Sequence, residues 1–266
     1  MSDTSISSTA FIHRLVGSPC CLPLMPREDL LPAYQKLGFC KYEAFSGWAK
    51  CRHEWSGNPE EDRELASRHG LKITSYHLPP ITENLEESFA NTMAAARYAS
   101  RLGAGIVLFK AARKELFAAV GKRFLDAIES ENLELTPVVQ NHAGSAISTL
   151  QDYRDVFAMF GHDPRIKAIL EVGHFQRLGI PWRDGWDLLE DRIALIHVNE
   201  IRNGKSVLYG TGEVDFTGLL AQIKTSGYAG DIVVELELDT HELAPGETLR
   251  DLKQAIALLT ELYNIA

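Results

Sequence analysis

The chain has 266 residues, 45% of them hydrophobic and 24% charged, the balance of a folded globular protein with enough chain for one large core. Lys and Arg number 27 against 36 Asp and Glu, a net charge of −9 that argues against the basic face of a nucleic-acid binder. No run of 18 apolar residues occurs, and residues 1–9 lack the basic start and apolar stretch of a secretion signal; no membrane span is expected and the cytoplasm is the expected location.

Short apolar or β-branched runs predict strands at residues 11–16, 39–45, 71–77, 104–109, 134–140, 166–172, 193–198 and 232–235. Helical patterns follow them at 27–37, 59–69, 85–102, 111–131, 149–160, 186–190, 216–225 and 248–262. Asn58 before Pro59, with Glu60 and Glu61 in the first turn, reads as a helix start. Gly38, Gly70, Gly103 and Gly161 stand where left-handed helix ends are expected. The run Pro181-Trp182-Arg183-Asp184-Gly185 is expected to shorten the sixth helix to 186–190.

Eight βα units without a linker rich in Pro, Gly or Ser predict an α/β fold, a single (β/α)₈ TIM barrel over residues 1–266. An open doubly wound sheet would want a glycine-rich phosphate loop, and Gly17, Gly47 and Gly57 have neither its spacing nor its context. Cys20, Cys21, Cys40 and Cys51 form no metal-pair spacing and read as inert thiols. Trp48, Trp55 and Trp182 are loop aromatics for a pocket lid, a subunit contact in a homo-oligomer, or plain loop packing.

In such a barrel, catalytic groups come from the C-terminal strand ends. Those ends supply Glu43, His77, Lys110, Gln140, His142, Glu171, His174, His197, Glu200 and Glu235. Each alone reads as a solvated or hydrogen-bonded surface residue; closure of the barrel is what brings them together. Glu171-Val172-Gly173-His174 ends an apolar run with a carboxylate and an imidazole, and His197 emerges after Ala194-Leu195-Ile196. In the last strand, alternation puts Glu235 and Glu237 on one side, with Glu235 the more enclosed. Gln140, Glu171, His197 and Glu235 would give one divalent ion two negative charges, with Gln140 as a neutral oxygen donor. Oxygen donors favour Mn²⁺, with Mg²⁺, Co²⁺ or Zn²⁺ as alternatives.

The stretches Asn141-His142-Ala143-Gly144, Glu171-Val172-Gly173-His174, His197-Val198-Asn199-Glu200 and Gly210-Thr211-Gly212-Glu213-Val214-Asp215-Phe216, ahead of Gly227-Tyr228-Ala229-Gly230, carry a resemblance. In order and spacing the chain resembles the xylose-isomerase-like barrel superfamily, in its sugar phosphate isomerase/epimerase group. That group includes ketose 3-epimerases, inosose dehydratases and isomerases, and endonuclease IV enzymes.

The resemblance implies metal binding at Gln140, Glu171, His197 and Glu235, although the family usually has Glu at the first position and Asp at the second. It implies substrate contact at His174 and a pocket-facing His77, while Glu200 stands where many members have Asp. The epimerases use two metal-bound glutamates as opposed proton carriers, and Gln140 cannot serve as one of them. The implied chemistry is isomerisation or epimerisation of a keto sugar, polyol-derived or cyclitol substrate, with sugar or inosose dehydration or a degenerate sugar-binding barrel as alternatives. Glu235 is the expected base, His174 or Glu200 returns a proton, and His77, Lys110, His142, His174 and Arg202 contact substrate. The loop after His197 and the end of the fourth strand lack the extra ligands of the three-metal endonucleases, so a nuclease is set aside.

Overall fold

Strands that are buried on both faces need cover on both, and here a closed barrel provides it inside while helices provide it outside. The structure, a computed structural model, describes residues 11–238 and 245–266. The N-terminal stretch read for its lack of a secretion signal lies outside the described residues.

The barrel strands are β1 (Leu15–Gly17), β2 (Lys41–Phe45), β3 (Lys72–His77), β4 (Ile106–Leu108), β5 (Thr136–Gln140), β6 (Lys167–Glu171), β7 (Ile193–Val198) and β10 (Asp231–Val234). They close in the order β1-β10-β7-β6-β5-β4-β3-β2, every pair parallel. A hairpin, β8 (Ile201–Arg202) and β9 (Lys205–Ser206), follows β7, its turn made by Asn203 and Gly204 at positive φ. The helices are α1 (Arg27–Leu37), α2 (Pro59–Arg68), α3 (Leu85–Leu102), α4 (Glu115–Ser130), α5 (Leu150–Met159), α6 (Val172–Arg177), α7 (Trp182–Leu189), α8 (Phe216–Thr225) and α9 (Pro245–Ile265). This is the expected (β/α)₈ barrel. No helix among the described residues is long and apolar enough to cross a membrane.

Strand alternation sorts the side chains into layers. Val16, Leu108, Val138, Ile169, Leu195 and Val233 pack together as the apolar plug inside the barrel. Their outward neighbours, such as Leu170, Ile196 and Val234, join the larger core between sheet and helices. Two residues beyond each member of the plug, on the same inward side, stand Ser18, Lys110, Gln140, Glu171, His197 and Glu235. One turn of the pleat therefore converts an apolar layer into a polar ring at the barrel mouth.

Several boundaries differ from expectation for physical reasons. Phe11 and Ile12 are helical, and the Phe11 ring stacks on Tyr263 at 4.0 Å, so the first strand begins only at Leu15. Pro181 caps α7 instead of breaking it: proline is tolerated before the first turn, and the helix starts at Trp182 rather than 186. Trp182 is accordingly a buried helix residue rather than a loop aromatic. The end of the expected sixth strand, Val172, opens α6 instead. The helix expected from 111 begins at Glu115. Asn58 does cap α2, accepting from the amides of Glu60 and Glu61, and Gly38 and Gly103 end α1 and α3 at φ +92°.

Candidate metal centre and active site

Register brings the polar ring to one height. Glu171 on β6 pairs with His197 on β7, and His197 pairs with Val233 on β10, two residues before Glu235. His197 Nδ1 lies 3.3 Å from Glu171 Oε2, 3.0 Å from Glu235 Oε1 and 3.4 Å from Gln140 Nε2. Gln140 Nε2 also donates to Glu171 Oε2 at 3.3 Å. The four residues expected to hold a metal thus meet around one imidazole nitrogen.

The other side of that imidazole faces a third carboxylate. Glu43 Oε1 lies 3.4 Å from His197 Nε2 and 3.0 Å from His77 Nε2, both as close ionic contacts without hydrogen-bond alignment. Ser75 Oγ and Ser18 Oγ donate to its two oxygens at 3.0 and 3.2 Å. Glu43 had been only one strand-end acid among several. The signal for it was local: a glutamate inside β2 whose neighbours Tyr42 and Ala44 are fully buried.

The electrostatics show what this cluster lacks. Burial pushes the Glu235 carboxyl well up and Glu171 adds to the push, while His197 works against it. Burial opposes protonation of His197, yet Glu43 and Glu235 hold its pKa well above the ordinary imidazole value. Both directions favour protonation at the Glu235–His197 pair, which offsets the crowding of buried carboxylates there. Glu171 and Glu43 stay ionised despite burial; His197 and His174 hold the first down, and His77 and His197 the second.

A divalent cation would replace that proton. Donor atoms of Glu171, His197 and Glu235 lie within 4.8 Å of one another, a spread suited to ligands about 2.0–2.2 Å from a shared ion. Ligating imidazoles usually present their second nitrogen to a carboxylate, as His197 presents Nε2 to Glu43. The residues therefore fit a divalent ion, with Gln140 able to offer its amide oxygen by a half-turn of the amide. Two further donor groups overlap this one: Glu43, His77 and His197, and Cys20, Glu235 and Glu237.

The surrounding loops lock these side chains in place. Asn141 Oδ1 accepts from the Glu171 amide at 3.0 Å and its Nδ2 donates to the Glu171 carbonyl at 2.9 Å, tying β5 to β6. Glu171 Oε1 accepts from the Gly173 amide at 3.1 Å and so caps α6. A Cβ on Gly173 would come within 2.8 Å of Asn199 Cβ, so only glycine lets α6 lie this close to the end of β7. Tyr209 donates to the carbonyls of Val198 and Glu235, clamping β7 to β10.

Glu200, expected to move a proton, is committed elsewhere. Its carboxylate accepts from the amides of Gly210 and Val214 at 3.1 and 3.2 Å and is wrapped by the 210–214 loop. A carboxylate holding two backbone amides ties the 210–214 loop to the end of β7. Arg202 is exposed on the hairpin, its backbone paired across it with Lys205.

The remaining expected contacts do reach the mouth. His77 and Lys110 line a cavity of about 230 Å³ with Phe45, Trp48 and Trp55. Lys110, Gln140 and His142 line a second of about 200 Å³ with Phe109 and Phe117. The rings of His174 and His142 pack at a tilt of 40° with centroids 3.7 Å apart, and His174 Nδ1 is buried without a hydrogen-bond partner. Burial brings His174 down to about 4 against the pull of Glu171, so its ring is neutral at pH 7. The four cysteines are free, Cys20, Cys21 and Cys51 being buried.

Inosose dehydratase of Lacticaseibacillus casei is 26% identical over 129 residues, 41% of this chain and 43% of that protein, so the match spans less than half of either. Among solved structures, the zinc-bound IolI protein superposes with a TM-score of 0.76 at 14% identity, covering 94% of this chain and 99% of that one. The D-psicose 3-epimerase of Clostridium cellulolyticum H10, solved with D-tagatose, gives 0.72 at 11% identity with the same coverage, 94% and 99%. At such identities these structures speak for the fold. The xylose isomerase-like TIM barrel family model matches residues 31–262, and the chain belongs to that family.

Proposed function

We propose that the chain is a divalent-metal-dependent sugar isomerase or epimerase that transfers a proton next to the carbonyl of a keto sugar, a polyol-derived sugar or a cyclitol. The observation that carries this reading is the convergence of Gln140, Glu171 and Glu235 on His197 Nδ1 at the barrel mouth, beside two cavities of sugar size. Oxygen donors outnumber nitrogen, which favours Mn²⁺ over Mg²⁺, Co²⁺ or Zn²⁺. When bound, such an ion supplies Lewis acidity that makes a carbon–hydrogen bond beside a carbonyl easier to ionise.

The chain's own residues divide the rest. Glu235 turns Oε1 toward His197, leaving Oε2 to take the proton. His174, being neutral, orients substrate hydroxyls through its ring nitrogens rather than delivering a proton as imidazolium. Gln140 holds its place without titrating. His77, Lys110 and His142 present polar groups to the cavities.

A second reading, sugar or inosose dehydration, is favoured by one observation. The site is asymmetric, with a base at Glu235 and an amide at Gln140 where symmetric epimerisation wants a second base. The partial likeness to an inosose dehydratase points the same way.

Metal-loaded protein incubated with keto sugars and inososes in D₂O, followed by NMR, separates the two. Deuterium uptake with all atoms retained supports isomerisation or epimerisation, and loss of water supports the lyase. Glu235→Gln should slow either by about a hundredfold or more, the lower range for general acid–base catalysis. Exchange near the wild-type rate would exclude Glu235 as the base.

A further inference from the structure

Of the polar ring, Lys110 is the member whose charge is left over. Glu171, His197 and Glu235 satisfy one another around a cation site, and Glu43 answers His77 and His197. Ser18 is consumed by Glu43. Lys110 stands two residues beyond Leu108 of the apolar plug, so alternation sends its side chain inward beside Gln140, the strands pairing as Leu108 with Val138. Its Nζ makes no hydrogen bond or ion pair with any described residue.

Its surroundings are half-buried and rich in aromatic rings. Lys110 forms part of the wall of both mouth cavities, between Phe109 and Phe117 on one side and Phe45 and Trp55 on the other. Burial pulls its ammonium down to about 8, with only Glu43, farther than ion-pair distance, resisting. A partly desolvated cation without a partner among the described residues is costly to keep, and a neutral hydroxyl ligand would leave its charge uncompensated. A phosphate would be expected to draw several cations or a row of backbone amides, and Lys110 is a single point charge. A single carboxylate matches it.

We propose that Lys110 anchors a carboxylate of the substrate, so that the pocket prefers a keto or polyhydroxy acid to the neutral sugar of the same skeleton. The reading rests on the proposed function: Gln140 and His77 line the Lys110 cavities and contact Glu171, His197 and Glu43, so the acid's carboxylate would lie on the β4 side with its carbonyl end toward Glu171, His197 and Glu235. Strand spacing puts the bases of Lys110 and Glu171 roughly 10 Å apart, two strands of about 4.8 Å, which suits a chain of a few carbons spanning between their side chains.

The test measures binding of 2-keto-D-gluconate, D-fructose and D-fructose 6-phosphate to Mn²⁺-treated and metal-free protein by calorimetry. Wild type should bind 2-keto-D-gluconate at least about tenfold more tightly than D-fructose, as a charge-assisted hydrogen bond warrants. Lys110→Met should erase that preference and Lys110→Arg should keep most of it. Lys110→Met should also melt no lower than wild type, because it removes an uncompensated buried charge; a lysine serving only as packing would lower the melt. Equal binding of the neutral ketose, preference for the phosphate, no binding of any of the three, or a preference that survives in Lys110→Met would each overturn the proposal. Mn²⁺ titrated alone keeps the two readings apart. A carboxylate preference without Mn²⁺ binding sinks the metal reading only, and Mn²⁺ binding without the preference sinks this one only.

Discussion

Replacing Glu200 with Gln tests whether this buried acid builds the site or works in it. Oε1 of Glu200 accepts from the Val214 amide at 3.2 Å and Oε2 from the Gly210 amide at 3.1 Å. Glutamine keeps one acceptor and turns an NH₂ toward the other amide, so one charge-assisted bond is lost and two donors face each other. Gly212 gives no room to relax, since even a Cβ there would touch the Glu200 carboxylate. A hydrogen bond to a charged group contributes about 1.5–3 kcal/mol. Burial has raised the Glu200 pKa, so part of that gain already offsets the cost of ionising it in the interior, and the net loss should sit near 2 kcal/mol. For a chain of this size that is a fall in Tm of roughly 4–8 °C. Calorimetric melting reads it, and deuterium exchange into a turned-over keto sugar reads the chemistry. Glu200→Gln should melt lower and keep the wild-type pH profile with activity reduced less than about tenfold. An unchanged Tm with activity down a thousandfold would refute the structural role and return Glu200 to the proton-transfer machinery.

Two further outcomes follow from the same geometry. Mn²⁺ should bind more tightly as pH rises: the raised pKa values of Glu235 and His197 mean a proton must leave before the ion enters, so affinity should still be climbing above about pH 6.5, the ordinary imidazole value; calorimetric affinities that are flat from pH 6 to 8 would contradict protonation of that pair. Gly173→Ala gains up to about 1 kcal/mol of helix propensity but drives a methyl to 2.8 Å from Asn199 Cβ, an overpacking cost of about 1–3 kcal/mol, so it should lower Tm and weaken Mn²⁺ binding through displaced Glu171, whereas a more stable variant with intact metal binding would show that the contact is slack.

The fold was legible because the barrel repeats a simple rule eight times. Leu108, Val138, Ile169, Leu195 and Val233 are each followed two residues on by a polar side chain, and strand alternation alone places that residue at the mouth. Gln140, Glu171, His197 and Glu235 could be singled out for that reason, and the structure brings all four together. Glu43 was visible as a strand-end acid, but its place under His197 depends on the irregular register between β2 and β3. The partners of Glu200, the amides of Gly210 and Val214, are set by the path of a loop and leave no signature in residue spacing. Arg202 follows the β7 end closely in sequence, and the hairpin closed by Asn203 and Gly204, on which it is exposed, has no counterpart in the strand pattern. Phe11 shows the same limit at the N-terminal side: its apolar run resembles a strand, and a stack on Tyr263 from the opposite end of the chain makes it helical.

The most direct measurement is anomalous diffraction from crystals soaked in Mn²⁺. It should show one peak per chain about 2.0–2.3 Å from His197 Nδ1 and from carboxylate oxygens of Glu171 and Glu235, with Glu43 at His197 Nε2 and outside the coordination sphere. A peak on the Glu43 and His77 side of the imidazole, one beside Cys20 and Glu237, or no peak after soaking would contradict the metal centre described.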